Sequence, residues 1–276
     1  MGNLDQRTVE GFGDEWSQFD QKDLPVEELN RLFGQYFSLF PWDQLPKNAE
    51  GFDLGCGSGR WAACVGPRVG TLHCVDASAD ALRVAQANLG GRSNCRFHHA
   101  SVDSIPVADA SMDFGYSLGV LHHVPDTQAG ISACVKKLKP GAPLLLYLYY
   151  RFDSRPPWFR GLWAMSDIGR KAISRLPARG RRGLTDVLAA TVYLPLARLS
   201  RSLDQLGLDV SHLPLSAYRD SSFYTMRTDA RDRFGTRLEQ RFTRPEILSM
   251  MERAGLERIA FREDVPYWCA VGYRRP

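Results

Sequence analysis

The stretch Phe52-Asp53-Leu54-Gly55-Cys56-Gly57-Ser58-Gly59-Arg60 carries the local signal that decides the fold. It begins with apolar residues, turns on three glycines at alternate positions and runs into a short helix-like segment at 61–65. We therefore predict a strand, a tight loop and the start of a helix. Glycine suits a loop whose backbone approaches a ligand closely, and the first N–H groups of a helix offer donors to a polar ligand.

The glycine spacing and a downstream carboxylate narrow the kind of ligand. A dinucleotide fingerprint, Gly-x-Gly-x-x-Gly, would place its third glycine on Arg60, which argues against NAD and FAD. Asp76 ends the next apolar run, 17 residues beyond Gly59, close to the offset at which a carboxylate at a strand end accepts hydrogen bonds from ribose hydroxyls. Asp76 could instead cap the following helix, as could Ser78 or Asp80.

Strand and helix signals alternate along the rest of the chain. After the first two strands, further strands are predicted at 95–100, 114–118, 143–150, 256–262 and 267–273. Thr243, Pro245 and Glu246 mark the start of a late helix, because Thr is a good N-cap and Glu near the third helical position completes a capping box. The pattern predicts an α/β fold with seven strands, the last two forming an antiparallel hairpin.

Two short motifs resemble those of a known family. The pattern Asp-x-Gly-x-Gly-x-Gly from Asp53 to Gly59 resembles motif I of the class I S-adenosylmethionine-dependent methyltransferases. Leu-His-His-Val-Pro-Asp at 121–126 is similar to small-molecule methyltransferases of this class. The resemblance covers 50–150 and 240–276 well and the first 50 residues loosely. It implies a Rossmann-like seven-stranded sheet with helices on both faces, S-adenosylmethionine as the cofactor and S-adenosylhomocysteine as the product.

The resemblance also implies roles for particular residues. The glycines would contact the methionine and ribose part of the cofactor through their backbone. Asp53 would order the loop or water near the amino group, and Asp103 would accept from the adenine amino group unless it is only a turn residue. The implied cofactor-binding set is Asp53, Gly55, Cys56, Gly57, Gly59, Asp76, Ala77, Val102, Asp103 and Leu118. Asn-Pro-Pro-Tyr and Asp-Pro-Pro-Tyr are absent, which favours O- or C-methylation over methylation of a nucleobase nitrogen.

A catalytic base is predicted at the end of the fourth strand, where a parallel sheet presents its reactive edge. His123 and His122 are the candidates, because histidine exchanges protons near neutral pH. One of the pair could instead be a packing residue. We expect no metal site, since the pairs His98-His99 and His122-His123 are adjacent and adjacent residues on a regular element point apart.

The chain divides into three predicted regions. Residues 1–50 form an N-terminal helical cap, whose Trp16, Phe19 and Tyr36 either help to close the active site or pack on the sheet edge. Residues 51–150 and 236–276 form the cofactor-binding core. Residues 151–235 form a mainly helical insert between the fifth strand and the next helix, and both of its ends emerge at the edge that carries the site.

The insert concentrates positive charge. It has 15 basic and 8 acidic residues, a net charge of +7 in a chain of +4. Amphipathic helices are predicted at 158–176 and 184–206, the second broken by Pro195, and a polar-aromatic loop at 216–229. The insert is interpreted as a lid with a solvated basic face, a pocket for an anionic or lipid-like acceptor, or a membrane-surface contact. The acceptor-binding candidates are Tyr149, Arg151, Tyr218, Arg219, Tyr224 and Arg227.

Composition excludes several classes of protein. No run of about 18 apolar residues predicts a transmembrane helix, and no secretory signal is visible at the start. The six cysteines lack Cys-x-x-Cys spacing and are interpreted as buried thiols of a cytoplasmic protein. No RNA-binding motif accompanies the basic residues, so a small-molecule acceptor is expected rather than nucleic acid. Alternative functions are a non-methyl-transferring enzyme of the same fold and a catalytically silent S-adenosylmethionine-binding scaffold. The acceptor and the oligomeric state stay open.

Overall fold

The computed structural model describes residues 2–153 and 155–276, which form two compact units. The sheet unit comprises residues 2–21, Asn30–Arg151 and Leu238–Pro276, and the insert unit comprises Lys22–Leu29 and Phe152–Arg237. The predicted N-terminal helical cap over 1–50 does not form a unit of its own in this division and stays a prediction. Most of that region belongs to the sheet unit, and its middle segment belongs to the insert unit. The insert itself begins and ends one to two residues later than predicted.

The sheet unit contains seven strands, as predicted. They are β1 (Glu50–Leu54), β2 (Thr71–Asp76), β3 (Cys95–His99), β4 (Phe114–Leu118), β5 (Pro143–Tyr147), β6 (Leu256–Phe261) and β7 (Cys269–Arg274). Their order in the sheet is β3-β2-β1-β4-β5-β7-β6, and β7 runs antiparallel to both neighbours. The fifth strand ends three residues earlier than predicted. Its leucines Leu144, Leu145 and Leu146 are fully buried, as expected for a strand covered on both faces.

Helices connect the strands and carry the predicted caps. The sheet unit has α1 (Gln6–Gln18), α2 (Val26–Tyr36, shared with the insert unit), α3 (Arg60–Val65), α4 (Ala79–Leu89), α5 (Thr127–Lys137) and, after the insert, the helix Arg244–Arg253. Ser78 caps α4 by accepting from the backbone N of Ala81, which leaves Asp76 to other partners. The Thr243–Glu246 capping box is present as predicted.

Two glycine–phenylalanine pairs hold β1 against β4. Gly51 lies beside Phe114 and Phe52 beside Gly115 in the register of the two parallel strands. A Cβ atom on Gly51 would lie 2.3 Å from the Phe114 ring, and one on Gly115 would lie 2.2 Å from the Phe52 ring. Each glycine therefore provides the space that the neighbouring ring fills, and both rings are fully buried.

The insert unit is mainly helical. Between β5 and the helix at 244 it contains α6 (Pro157–Ile173), α7 (Ala178–Leu188), α8 (Leu194–Gln205) and α9 (Phe223–Gly235), so the later helix is α10. Both α6 and α7 pack on α9. A small core joins α8 and α9 and consists of Ala189, Tyr193, Ala197, Met226 and Ala230.

Two predictions for the insert were wrong in detail. Pro195 does not break a helix, because it lies in the first turn of α8, where its missing N–H is tolerated, after a π-helical turn at Ala189–Tyr193. The segment 216–229 is a loop only in its first half, since α9 begins at Phe223 with Ser222 as its N-cap. Within the described residues, no helix is long and apolar enough to cross a membrane.

Candidate active site

The glycine loop after β1 has the backbone conformation that the sequence predicts. Gly55, Gly57 and Gly59 have φ angles of +77°, +54° and +79°, a region that favours glycine. A Cβ atom on Gly55 would lie 2.3 Å from the Val120 side chain, and one on Gly57 would lie 2.9 Å from the indole of Trp16. The loop is therefore closely covered by α1 on one side and by the segment after β4 on another.

Asp76 connects the end of β2 to this loop. One of its carboxylate oxygens accepts from the backbone N of Gly57 at 2.9 Å, and the other accepts from the backbone N of Ser78 at 2.8 Å. Burial raises the pKa of this carboxyl above its usual value, and the two N–H donors oppose that shift. Each oxygen retains a second lone pair, so the carboxylate can still accept from hydroxyl groups of a ligand.

A cavity opens above the loop, at the carboxyl ends of β1, β2 and β4. Its empty volume is about 760 Å³, part of it open to solvent, within the range of small-molecule sites. Six predicted site residues line it: Gly55, Asp76, Ala77, Val102, Leu118 and His123. The lining residues that sequence analysis did not assign are Asn3, Leu4, Thr8, Val9, Phe12, Leu54, Ser78, Ala100, Gly119, Val120 and Val124. Trp16 also lines the cavity, as the active-site interpretation of the N-terminal region predicted.

The chemistry of the cavity wall fits S-adenosylmethionine. Asp76 offers acceptors for hydroxyl groups, while Val102 and Leu118 offer apolar surface for a flat ring. The hydroxyl of Thr8 is buried and, within the described part of the chain, has no hydrogen-bond partner, although Thr8 lines the cavity. Such a buried hydroxyl is expected to meet a polar ligand or water. The residues present therefore fit a nucleoside, with acceptors for its hydroxyl groups and apolar surface for its base.

Several predicted cofactor residues do not line the cavity. Asp53 is buried beneath the loop, where the hydroxyl of Tyr116 donates to its carboxylate at 3.0 Å, and burial raises its pKa to about 8. It lies beneath the loop and does not line the cavity, and its expected role in ordering the loop stays a prediction. Cys56, Gly57 and Gly59 are buried as well and do not line the cavity.

Asp103 also lies outside the cavity wall and holds the N-terminal segment. Its carboxylate accepts from the backbone N of Asn3, and the Asn3 side-chain amide pairs with the backbone of Asp126 through two hydrogen bonds of 2.7 Å. This arrangement brings Asn3 and Leu4 to the cavity. The adenine contact expected of Asp103 stays a prediction. No pattern in the sequence distinguishes Asn3 from an ordinary polar residue near a terminus.

The two histidines lie in a one-turn 3-10 helix, Leu121–His123. His123 lines the cavity, and its Nδ1 lies 2.6 Å from the carbonyl oxygen of Leu238. A carbonyl can only accept a hydrogen bond, so Nδ1 carries the proton and Nε2 of the neutral ring carries the lone pair. Residues 238–240, which we call the return segment, form two further hydrogen bonds with the histidine turn. The backbone N of Gln240 donates to the His122 carbonyl at 2.9 Å, and the Gln240 side-chain amide donates to the Val124 carbonyl at 2.7 Å.

His122 is placed differently from its neighbour. It is fully buried, and neither of its ring nitrogens has a hydrogen-bond partner in the described part of the chain. Its ring stacks on Tyr149 with centroids 3.8 Å apart and lies 4.0 Å from the ring of His123. Burial, with smaller contributions from His123 and Arg241, lowers its pKa well below the usual value. His122 is therefore neutral and packs behind His123.

The contact between the two imidazole rings corrects the expectation that adjacent histidines point apart. Adjacent side chains point apart on a strand but not on this 3-10 turn, where the two imidazoles touch. Even so, the described residues contain no group of three His, Cys, Asp or Glu side chains arranged to hold a metal ion.

The predicted acceptor residues fall in both units. Tyr149 lies between His122 and the guanidinium of Arg241, which is 4.9 Å from its ring centroid, and Arg151 is exposed and paired with Glu246 at 2.9 Å. In the insert unit, Arg219 pairs with Asp204 at 3.1 Å, and Arg227 pairs with Asp186 at 3.0 Å. Tyr218 ends a 3-10 turn and Tyr224 lies in the first turn of α9. Their contact with an acceptor stays a prediction.

Comparison with known proteins identifies similar sequences. Residues 52–146 match the family described as "Methyltransferase domain". The ubiquinone biosynthesis O-methyltransferase of Xanthomonas axonopodis pv. citri (strain 306) is 26% identical over 235 residues, which cover 82% of this chain and 92% of the relative. The protein of the same name from Paracidovorax citrulli (strain AAC00-1) is 27% identical over 146 residues, covering 50% and 60% of the two chains.

Solved structures show the same fold. An S-adenosylmethionine-dependent methyltransferase from Methanosarcina mazei superposes with a TM-score of 0.51 at 16% identity, covering 84% of this chain and 95% of that one. Phosphoethanolamine N-methyltransferase 2 of Haemonchus contortus, in complex with S-adenosyl-L-methionine, gives 0.51 at 15% identity, covering 94% and 44%. At these identities the likeness supports the architecture of the sheet and its connecting helices.

Proposed function

Because the chain is a class I S-adenosylmethionine-dependent methyltransferase, we propose that it methylates a hydroxyl oxygen of a small-molecule acceptor. The observation that carries the proposal is His123, a cavity-lining imidazole whose Nδ1 proton is fixed on a backbone carbonyl. A hydroxyl needs a base to become a good nucleophile, and in this tautomer Nε2 carries the lone pair that can accept its proton. The name O-methyltransferase, shared by relatives similar over most of the chain, supports oxygen as the acceptor atom.

The cofactor, when bound, supplies a methyl group activated by a positive sulfonium. The backbone of the glycine loop and the carboxylate of Asp76 would hold its polar parts, and Val102 and Leu118 would contact its base. Asp53 and Tyr116 hold the loop from below through their hydrogen bond. These residues orient the reactants, and orientation can supply much of the rate enhancement of a transfer reaction.

His123 handles the proton of the acceptor. Its Nε2 takes the hydroxyl proton as the oxygen becomes the nucleophile, and the ring then carries a positive charge. The Leu238 carbonyl, 2.6 Å from Nδ1, stabilises that charge and holds the ring in one orientation. Phe12 packs against the ring with centroids 4.9 Å apart and helps to exclude water. General base catalysis of this kind contributes about 10²–10⁴-fold.

The insert unit is the proposed source of acceptor specificity. Its net positive charge over 151–235 supports an anionic or amphipathic acceptor. Tyr218, Arg219, Tyr224 and Arg227 are its candidate binding residues, together with Tyr149 and Arg151 at the end of the fifth strand. The arginines already have carboxylate partners, so an anionic acceptor would compete with those ion pairs.

A substitution at His123 tests the proposed function. Purified protein is mixed with S-adenosylmethionine and a panel of hydroxylated amphipathic compounds, each paired with its methyl ether, while release of S-adenosylhomocysteine and product mass are followed. For an accepted compound, His123→Asn is expected to lower kcat/KM about 10²–10⁴-fold, because Asn can donate to the Leu238 carbonyl but cannot act as a base. Affinity for S-adenosylhomocysteine, measured by calorimetry, should stay unchanged.

The control is His212→Asn, an exposed histidine of the insert unit, which should retain full activity. Retained activity in His123→Asn, or a product carrying the new methyl group on nitrogen or carbon, would contradict the proposal.

A further inference from the structure

The histidine turn packs against a column of stacked groups just beyond the end of β5. The ring of His122 lies on Tyr149 with centroids 3.8 Å apart, and the guanidinium of Arg241 lies over the same tyrosine, 4.9 Å from its centroid. Tyr149 also meets the ring of His123 edge-on, with centroids 5.5 Å apart. We call Arg241, Tyr149 and His122 the stacked column. A permanent cation therefore lies one aromatic ring away from the proposed base.

A buried carboxylate neutralises that cation. Oε1 of Glu239 lies 2.7 Å from Nε of Arg241, and the side chains of Glu239 and Arg241 are only 2% and 10% exposed. The second carboxylate oxygen, Oε2, is buried and has no hydrogen-bond partner within the described part of the chain. Burying two charges costs much of the free energy that their attraction returns, so stability is a weak reason for such a pair. The pair is better explained by the groups that its charges face.

The position of Arg241 is fixed from both ends of the residue. Its carbonyl oxygen accepts from Nε and Nη2 of Arg151 at 3.1 and 2.8 Å, and its guanidinium donates to the Tyr150 carbonyl at 3.3 Å. The next residue, Phe242, forms a parallel bridge with Tyr150. Because the backbone and the guanidinium are both held, the charge of Arg241 acts on the histidine turn from a fixed place.

The charge of Arg241 reaches the histidine turn. Burial is the main reason why the pKa of His122 is low, and the charges of His123 and Arg241 contribute to that shift. Charges interact strongly where water is excluded, because the effective dielectric constant is low. His123 gains a positive charge when its Nε2 takes a proton, and a neighbouring cation opposes that gain whereas a carboxylate favours it. The balance between Arg241 and Glu239 therefore affects the base.

The other groups that surround His123 are mostly uncharged. Phe12 packs on the ring from α1, the Leu238 carbonyl accepts from Nδ1, and His122 is neutral. Among the described residues that line the cavity, Asp76 at the end of β2 is the one carboxylate. The buried ion pair at the end of the stacked column is thus a source of charge that a single substitution unbalances.

We propose that Glu239 is a positioning residue for the proposed methyl transfer, and that its carboxylate keeps His123 able to take the acceptor's proton by neutralising Arg241. The proposal rests on the proposed role of His123 as the base. When the acceptor's O–H bond breaks, the oxygen keeps the electron pair and the proton bonds to Nε2 of His123. The resulting imidazolium forms near a cation whose charge Glu239 offsets.

Titration of the His123 ring by NMR tests the proposal without an acceptor. Signals of histidine-labelled protein are followed against pH in the presence of S-adenosylhomocysteine, and His123→Asn identifies those of His123. Glu239→Gln keeps a hydrogen-bond acceptor for Arg241 but removes the charge, so it should lower the midpoint of His123 protonation by about 0.5–1 pH unit. Arg241→Gln should raise the midpoint. With an accepted compound, the acidic limb of the kcat/KM profile should move with it.

Two further variants control this experiment. Glu239→Gln/Arg241→Gln leaves no buried charge unpaired and should return the midpoint close to the wild-type value. Glu263→Gln breaks an exposed ion pair with Arg244 and should leave the midpoint unchanged. The proposal is overturned if Glu239→Gln does not lower the midpoint or, should that variant not fold, if Arg241→Gln does not raise it. A lowered midpoint together with full activity of His123→Asn would overturn the proposed function and still support the effect of Glu239 on the ring.

Discussion

The two units of the chain distribute polar and apolar groups in opposite ways. In the sheet unit the apolar side chains are buried, and the buried polar groups Asp53, His122 and His123 gather at or beside the strand ends. In the insert unit many large apolar side chains reach the surface, and the buried charged groups include two arginines, Arg170 and Arg231. The first arrangement builds a site for a fixed cofactor. The second builds a surface, which suits a region that meets different acceptors or partners.

The buried ion pair of the insert unit should give the largest effect. Asp167→Ala is expected to cost about 3–5 kcal/mol of unfolding free energy at neutral pH, because Arg170 stays buried without its carboxylate. Bonds from Lys171 and Arg170 outweigh the effect of burial and lower the Asp167 pKa below 3.8, so this stability is present above that pH and is lost as pH falls through the folded value. Urea titrations should show the loss, and the exposed Asp220→Ala should change stability little.

A glycine-to-alanine substitution in each unit should give the next largest effects, with opposite signs. Gly115→Ala should destabilise the protein by about 3 kcal/mol, because the new methyl group would overlap the buried Phe52 ring. Gly161→Ala, in α6 with open space around it, should stabilise by about 0.5–1 kcal/mol. Thermal unfolding of both variants measures these changes in stability. Similar melting temperatures for the two variants would contradict the close packing of Gly115 against Phe52.

Cofactor affinity should depend on the sheet unit alone. Asp76→Ala is expected to weaken S-adenosylhomocysteine binding about 10- to 100-fold, since hydrogen bonds to a charged group contribute about 1.5–3 kcal/mol. Asp186→Ala removes a carboxylate from the insert unit, where it pairs with Arg227, and should leave this affinity unchanged. Calorimetry measures both. If Asp76→Ala binds normally, Asp76 does not belong to the cofactor site.

Asp53 should make the unfolding free energy depend on pH with a sign opposite to the effect of Asp167. Its pKa is about 8 in the folded chain and about 3.8 when unfolded, so between these values the folded state holds a proton that the unfolded state has lost. Stability from this group is therefore present below pH 3.8 and declines as pH rises to about 8. Relative to Asp53→Asn, the wild type should lose about 1.4 kcal/mol per pH unit in that window. If the unfolding free energies of the wild type and of Asp53→Asn change in parallel across this pH window, Asp53 does not have the raised pKa.

The sheet unit could be predicted from sequence because its signals are local. Gly55, Gly57 and Gly59 report a backbone conformation, and Thr243 with Glu246 reports a helix start, without reference to distant residues. Asp76 was found by its distance from the loop. The hydrogen bond between Asp53 and Tyr116 was not predicted, because sequence spacing does not tell which side chain of a neighbouring strand a buried carboxylate meets.

The insert unit was harder to predict because one of its helices, α9, lacks the apolar periodicity of a surface helix. Helix α9 lies between α6 and α7 and buries Thr225, Thr228 and Arg231, so its polar sequence resembled a loop. Long-range contacts were also invisible to pattern analysis. Neither the bond between His123 and Leu238 nor the pairing of Asn3 with Asp126 has a sequence signature, since the partners lie more than 100 positions apart.

The return segment after the insert provides a rule for engineering new specificity. Leu238 and Gln240 fix the histidine turn through three backbone or amide hydrogen bonds, and they lie just beyond the last insert residue, Arg237. A chimera that replaces 152–237 with the insert of another methyltransferase should therefore keep the base in its correct tautomer if residues 238–240 are retained. Chimeras joined after residue 240 would change both the acceptor-binding residues and the hydrogen bond that fixes the His123 tautomer. Loss of activity in such a chimera would therefore not show whether acceptor recognition had failed.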